Sequence, residues 1–134
     1  MFEIVRIKIF GGQPIAKVTD KKLDQLIQRE FGGRAPEIKR KLQQVTSDTG
    51  DGKNRISAAI LKCSNGDFKA IDHFIATSSE DFRDVISNAE YPRFSKLSVK
   101  HTEGQNMKRI YLEDWREYAN WLKNGSLTDG GPIG

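Results

Sequence analysis

Three short amphipathic segments follow one another between residues 56 and 92, and this run constrains the fold more than any other feature of the chain. Apolar residues recur every three or four positions within each segment. Such spacing places apolar side chains on one face of a helix, so the run predicts helices packed around a shared core. Asn65-Gly66 is a stop signal after the first helix, and Pro92 ends the last because proline disfavours helical geometry at the residue before it.

Each of these predicted helices has its own apolar stripe. Ser78 and Asp81 match a capping pattern, which marks the start of the third helix. Because Cys63 falls on a stripe, we expect it to pack as a small hydrophobic side chain and not to act as a nucleophile. The stripes are Ile56, Ala59, Ile60 and Cys63, then Phe68, Ile71, Phe74 and Ile75, and finally Phe82, Val85, Ile86 and Ala89.

Two helices are predicted before this run. Thr19 or Asp20 is suited to cap a helix that extends to Phe31, where Gly32-Gly33 ends it. Pro36 is favoured in the first turn of a second helix. The apolar face of that helix is formed by Ile38, Leu42 and Val45, and a polar loop is predicted over 47–53.

One helix is predicted after the run, from Tyr111 to Asn124, and Gly125 ends it. A helical wheel places Tyr111, Trp115, Tyr118 and Leu122 in one inward stripe. Residues 93–106 are expected to be irregular or partly extended.

Alternation of β-branched and charged residues over Phe2 to Phe10 predicts a strand. Gly11-Gly12 permits a turn into a second strand over 15–18, and 97–100 is a possible third strand. The predicted fold class is therefore α+β but mostly α: a compact bundle of five or six short helices with an N-terminal β-strand or hairpin. We expect one globular domain over 1–125 and a flexible tail over 126–134.

The composition restricts the class of protein. A chain of 134 residues is the size of a single domain, and its lone cysteine excludes an internal disulfide. The first residues lack the pattern of a signal peptide, and no apolar run is long enough for a membrane span. We therefore expect a cytoplasmic protein that does not bind a membrane. Asp72, His73 and His101 offer too few ligands for a metal ion and have no recognised spacing, so neither a metal nor a cofactor is predicted.

Two groups of residues are candidates for contact with another protein. Arg83 shares a helix flank with acidic residues, and Tyr91 is held extended beside Pro92. Trp121 falls about 80° from the apolar stripe of the last helix, between carboxylates, as the aromatic anchors of interfaces do. In the alternative interpretation, these residues form a structural ion-pair network with a packed tyrosine, and the N-terminal hairpin covers the indole. The predicted contacts are Arg83, Asp84, Glu90, Tyr91, Asp114, Glu117 and Trp121.

Two other functions compete with protein binding. Residues 1–60 hold twelve Lys or Arg against seven acids, whereas residues 61–134 hold ten against eleven. A DNA- or RNA-binding helix-turn-helix-like segment over 20–55 would use this charge. Its candidate contacts are Arg34, Lys39, Arg40, Lys41, Lys53 and Arg55. An enzyme of unknown class would use the acidic region over 72–90, with Asp72, His73, Asp81, Arg83 and Glu90.

A resemblance covers residues 55–92. Asn65-Gly66-Asp67, then Asp81-Phe82-Arg83-Asp84-Val85 and Ala89-Glu90-Tyr91-Pro92, resemble the corresponding strings of a group of small uncharacterised bacterial proteins. The resemblance implies a bacterial cytosolic source, and it implies no activity. Because no complete catalytic set is present, the leading hypothesis is a non-catalytic protein-binding or regulatory domain.

Overall fold

The structure of the chain is a computed structural model that describes residues 17–47, 49–97 and 104–124, apart from the side chain of Asp51. Most of these residues are helical. A short 3-10 turn at Gly32–Arg34 connects the first two α-helices, and another at Phe94–Lys96 follows the fourth. The α-helices are α1 (Asp20–Phe31), α2 (Ala35–Leu42), α3 (Gly50–Ser64), α4 (Phe68–Glu90) and α5 (Gly104–Asn124).

The ends of α1 follow from local sequence, as predicted. The hydroxyl of Thr19 accepts a hydrogen bond from the backbone N–H of Lys22 at 3.1 Å, which satisfies one of the free donors at the helix start. Gly32 ends the helix with a φ of 50°, a conformation that costs a glycine little. Thr19 is therefore the N-cap, and the predicted stop is confirmed.

The start of α3 differs from the prediction. Thr49 caps this helix by accepting the N–H of Gly52 at 2.9 Å, so the second half of the predicted polar loop over 47–53 is helical. The helix ends where expected, because Asn65 and Gly66 take φ values of 50° and 79°.

The two helices predicted within 68–89 form the single helix α4, which is 23 residues long. Asp81 interrupts it with non-helical angles (φ −155°, ψ 94°), and its carboxylate accepts the N–H of Arg83 at 3.1 Å. Asp81 thus caps the second half, while the hydroxyl of Ser78 donates to the carbonyl of Ile75 instead. The helix ends at Glu90, so the stop predicted from Pro92 is confirmed.

The main core surrounds α3. Every residue from Ile56 to Leu61 is buried, which requires neighbours on all sides of the helix. Helix α4 packs along α3, and α1 and α2 complete the layer around them. A second, smaller cluster joins the chain after α4 to the first half of α5 and consists of Tyr91, Phe94, Met107 and Tyr111.

The prediction of an α+β bundle of short helices is wrong, although the described residues are mostly helical as expected. The described residues contain no β-strand. The helices are longer than predicted: α3, α4 and α5 have 15, 23 and 21 residues, and α5 begins at Gly104, seven positions before Tyr111. The strand predicted over 2–10 and the tail over 126–134 lie outside the described residues. So do residues 15–16 of the second predicted strand and residues 98–100 of the third, whereas the described Lys17, Val18 and Leu97 are not in a strand.

In the part of the chain that the structure describes, no helix is both long and apolar enough to cross a membrane.

Candidate functional site

The solvent-facing side of α5 carries a row of basic residues around one apolar side chain. All five residues of this row are exposed, and Leu112 at its centre is 37% exposed. At 3.6 residues per turn they fall within an arc of about 100°. We call this surface the basic face; it consists of Lys108, Arg109, Leu112, Arg116 and Lys123.

Most of the charge on the basic face is uncompensated. Arg109 contacts Glu113 at 3.4 Å, whereas Lys108, Arg116 and Lys123 form no ion pair with the other described residues. Sequence reasoning missed this surface because it followed the apolar residues of the helix. The spacing of the cations, on the side opposite to those apolar residues, was the available signal.

The opposite side of α5 lies in the core and includes Trp121. This indole is 5% exposed; Tyr118 stacks on it at 5.6 Å between ring centroids, and the guanidinium of Arg29 lies 5.1 Å from its centroid. The expectation that Trp121 faces solvent is therefore wrong. The helical wheel placed Trp121 beside carboxylates and so at the edge of the apolar stripe, but one of these carboxylates, Asp114, is itself buried.

Asp114 is buried because it holds together the turn that follows α4. Its carboxylate accepts the backbone N–H groups of Arg93 at 3.0 Å and Phe94 at 2.8 Å, and the Nε of Arg93 at 2.7 Å. Glu117 accepts the other end of the same guanidinium at 2.8 Å. Hydrogen bonding to Asp114 raises the pKa of Arg93. The acidic pair predicted as a partner contact thus has a structural role.

Glu90 forms a second internal ion pair. Its fully buried carboxylate receives the Nε and Nη2 of Arg55 at 2.9 and 2.8 Å, a bidentate geometry. Tyr91 beside it is also buried and stacks on Tyr111 at 4.7 Å. Burial, followed by the charge of Glu90, raises the pKa of the nearby Tyr118 hydroxyl well above its ordinary value. Glu90 and Tyr91 are therefore not at the surface where a partner would meet them.

The remaining predicted partner contacts are exposed. Arg83 is 82% exposed, and its guanidinium contacts the carboxylate of Asp81 at 3.4 Å. Asp84 is exposed too. Phe82, predicted to face the core, is 40% exposed because the break at Asp81 changes the phase of the second half of α4.

The six basic residues predicted to contact nucleic acid do not form one open basic surface. Four of them are occupied by acidic partners: Arg34 by Glu37 at 3.7 Å, Lys39 by Asp24 at 3.2 Å, Lys41 by Asp72 at 2.9 Å and Arg55 by Glu90 at 2.8 Å. Arg34 also lies over the ring of Phe68 at 3.8 Å. Arg40 and Lys53 have no ion-pair partner among the described residues.

The residues of the predicted catalytic region have separate contacts. Asp72 pairs with Lys41, the ring of His73 meets Phe74 edge-on at 4.9 Å, and Asp81 caps a helix. Within the described ranges no three His, Cys, Asp or Glu side chains lie close enough together to hold a metal ion.

We expect the Cys63 thiol to react slowly with alkylating reagents near neutral pH. Its sulfur lies 3.7 Å from the carbonyl of Val85, and burial raises the pKa of the thiol from 9.0 to about 11. Only the thiolate is nucleophilic, so the alkylation rate of the folded protein should keep rising with pH and level off only near pH 11. The same shift favours folding below about pH 8.5, and this contribution is lost as the pH rises toward 11. Iodoacetamide kinetics on folded and urea-unfolded protein between pH 7 and 11 measure the difference; equal midpoints would contradict it.

Comparison of the chain with models of known protein families, with curated proteins and with solved structures gave no match.

Proposed function

We propose that this chain is a non-catalytic binding domain that recognises an acidic surface of a partner protein through the basic face of α5. The observation that carries the proposal is the row of exposed cations around Leu112 on the side of α5 opposite to its core contacts. Arg55 and Arg93, whose pKa values are raised, are by contrast held in internal ion pairs with Glu90 and Asp114.

The chemistry of the basic face fits a protein partner. Lys108 and Lys123 are 15 positions apart, which is about 22 Å along a helix and comparable to the width of a standard interface. Exposed cations attract and orient an acidic surface, while an apolar residue at the centre supplies contact area that is removed from water. Leu112 at the centre of the cations provides that apolar contact.

The apolar side chain of Leu112 at the centre of the cations favours a protein partner over nucleic acid. Phosphate contacts need cations and hydrogen-bond donors but no apolar centre. Nucleic-acid binding therefore remains the alternative that the experiment must separate from protein binding.

The test begins with a photoreactive amino acid in place of Leu112 in the full chain, cross-linked in extract of the source cells. The protein captured is then purified, and its affinity is measured by calorimetry. We expect Leu112→Glu and Arg116→Glu each to weaken binding at least about tenfold, because each places a carboxylate against an acidic partner. Lys21→Glu, an equal charge change at an exposed position of α1, should change affinity less than about twofold.

Two outcomes would sink the proposal. One is a cross-linked product that nuclease digestion removes, which would assign the basic face to nucleic acid. The other is a purified partner whose affinity responds equally to Arg116→Glu and to Lys21→Glu. Far-ultraviolet circular dichroism of each variant checks that the helices are retained.

A further inference from the structure

A half-open cleft of about 140 Å³ lies between α1, α2 and α3. Leu23 and Ile27 of α1 and Leu42 of α2 provide apolar walls. The polar lining residues are Asp24, Lys39, Gln43, Lys53 and Ser57. It shares no residue with the basic face of α5, so the two sites are independent.

Ser57 indicates that the cleft is built to receive a polar atom. Its side chain is 1% exposed, and its hydroxyl oxygen has no hydrogen-bond partner among the residues that the structure describes. A buried hydroxyl without a partner is costly, and a folded chain normally gives it a bond to its own backbone or to water. Elsewhere in α3 Ser64 does this, donating to the carbonyl of Ile60 at 2.8 Å. Ser57 lines the cleft, and its hydroxyl makes no such bond with the described residues.

The charge of the cleft is positive. Lys53 has no ion pair with the described residues. Lys39 contacts Asp24 at 3.2 Å, but more than half of each side chain is exposed, and such pairs contribute little stability. A carboxylate that enters the cleft can therefore compete with Asp24 for Lys39 while it also meets Lys53. The ammonium groups of Lys39 and Lys53 outnumber the carboxylate of Asp24 among the lining residues, so the cleft favours an anionic ligand.

We propose that this cleft binds a small monocarboxylate with an apolar body of about six carbons, such as benzoate or hexanoate. Cavities of about 150 Å³ lined by aliphatic side chains hold a benzene ring, which sets the size of the body. The ring or chain packs against Leu23, Ile27 and Leu42. The carboxylate pairs with Lys53 and accepts the hydroxyl of Ser57.

The proposal is tested by titrating the full chain with benzoate, hexanoate, benzyl alcohol and inorganic phosphate. Methyl ¹H–¹³C NMR spectra follow Leu23, Ile27 and Leu42. We expect both carboxylates to shift these methyl signals, benzyl alcohol to bind at least about fivefold more weakly, and phosphate to leave them unchanged.

Variants separate recognition from folding. Lys53→Gln should weaken benzoate binding about tenfold and leave the affinity for benzyl alcohol within about twofold, because only the ion pair is lost. Ser57→Ala, which fills no new volume, should weaken benzoate binding about fivefold. Lys69→Gln removes an equal charge from the exposed start of α4 and should have no effect on either ligand.

A cleft that takes up only water would show no methyl shifts at about 20 mM benzoate, and the proposal would be overturned. Equal affinity for benzoate and benzyl alcohol would also overturn it, as would an equal response to Lys53→Gln and Lys69→Gln. The backbone amide spectrum of each variant establishes that it is folded before its affinity is interpreted.

Discussion

Replacing Glu90 by alanine is expected to lower the free energy of unfolding by about 3–5 kcal/mol. The carboxylate of Glu90 is fully buried and receives both arms of the Arg55 guanidinium. Removal of the carboxylate leaves a mostly buried cation without its partner, and the cost of that charge inside the protein exceeds the loss of the contact alone. Urea denaturation followed by circular dichroism at 222 nm measures the change.

Two further variants show whether the effect arises from the buried charge. Glu37→Ala removes the same side chain from the exposed pair with Arg34 and should change stability by less than about 1 kcal/mol. The double replacement Arg55→Met with Glu90→Leu should recover most of the stability lost in Glu90→Ala, because neither charge then needs a partner. A loss below about 1 kcal/mol for Glu90→Ala would show that water reaches Arg55 and that the pair is dispensable.

Replacing Asp114 by alanine is expected to lower the free energy of unfolding by about 2–4 kcal/mol, the second-largest effect that we predict. Its carboxylate accepts two backbone N–H groups, from Arg93 and Phe94, and the Arg93 side chain. The guanidinium is half exposed and can return to water, whereas the hydrogen bond from the Phe94 N–H to Asp114 is buried, and its loss is therefore costly. Asp114→Asn keeps one acceptor oxygen and should lose about half as much stability.

Amide hydrogen exchange localises this effect. In Asp114→Ala the amide of Phe94 should exchange faster than it does in the unchanged protein, since its hydrogen bond is absent. Glu117→Ala removes the exposed partner of the same Arg93 and should change stability by less than about 1 kcal/mol. Equal losses for the Asp114 and Glu117 variants would contradict the assignment of Asp114 as the residue that holds the turn.

The parts of the fold that were predicted correctly depend on neighbours along the chain. Thr19 caps α1, Gly32 ends it, Asn65-Gly66 ends α3 and Pro92 ends α4, as their residue types indicate. Caps and stops involve atoms within four positions of one another, so residue preferences are sufficient to place them. Asp81 shows the same locality, because its own side chain makes the break in α4.

The choice of site residues required knowing which side of each helix faces the core, and for Glu90, Asp114 and Trp121 the predicted exposure is wrong. Asp114 and Glu90 are charged, and a helical wheel places charged residues at the surface; both are buried because Arg93 and Arg55 neutralise them across 21 and 35 positions. With Asp114 turned inward, Trp121 lies within the core. The spacing of the cations places them on one side of α5, and the structure shows that this side faces solvent.

Residue order alone therefore established that the chain is mostly helical and where several helices begin or end. Packing between helices decided which side of α5 meets the core and which carboxylates are buried. It also decided where the cleft beside Ser57 lies. The physical reason is range: a cap involves a few adjacent residues, whereas burial of a charge depends on a partner that another helix supplies. No pattern within α5 identifies Arg93 as the residue that allows Asp114 to leave water.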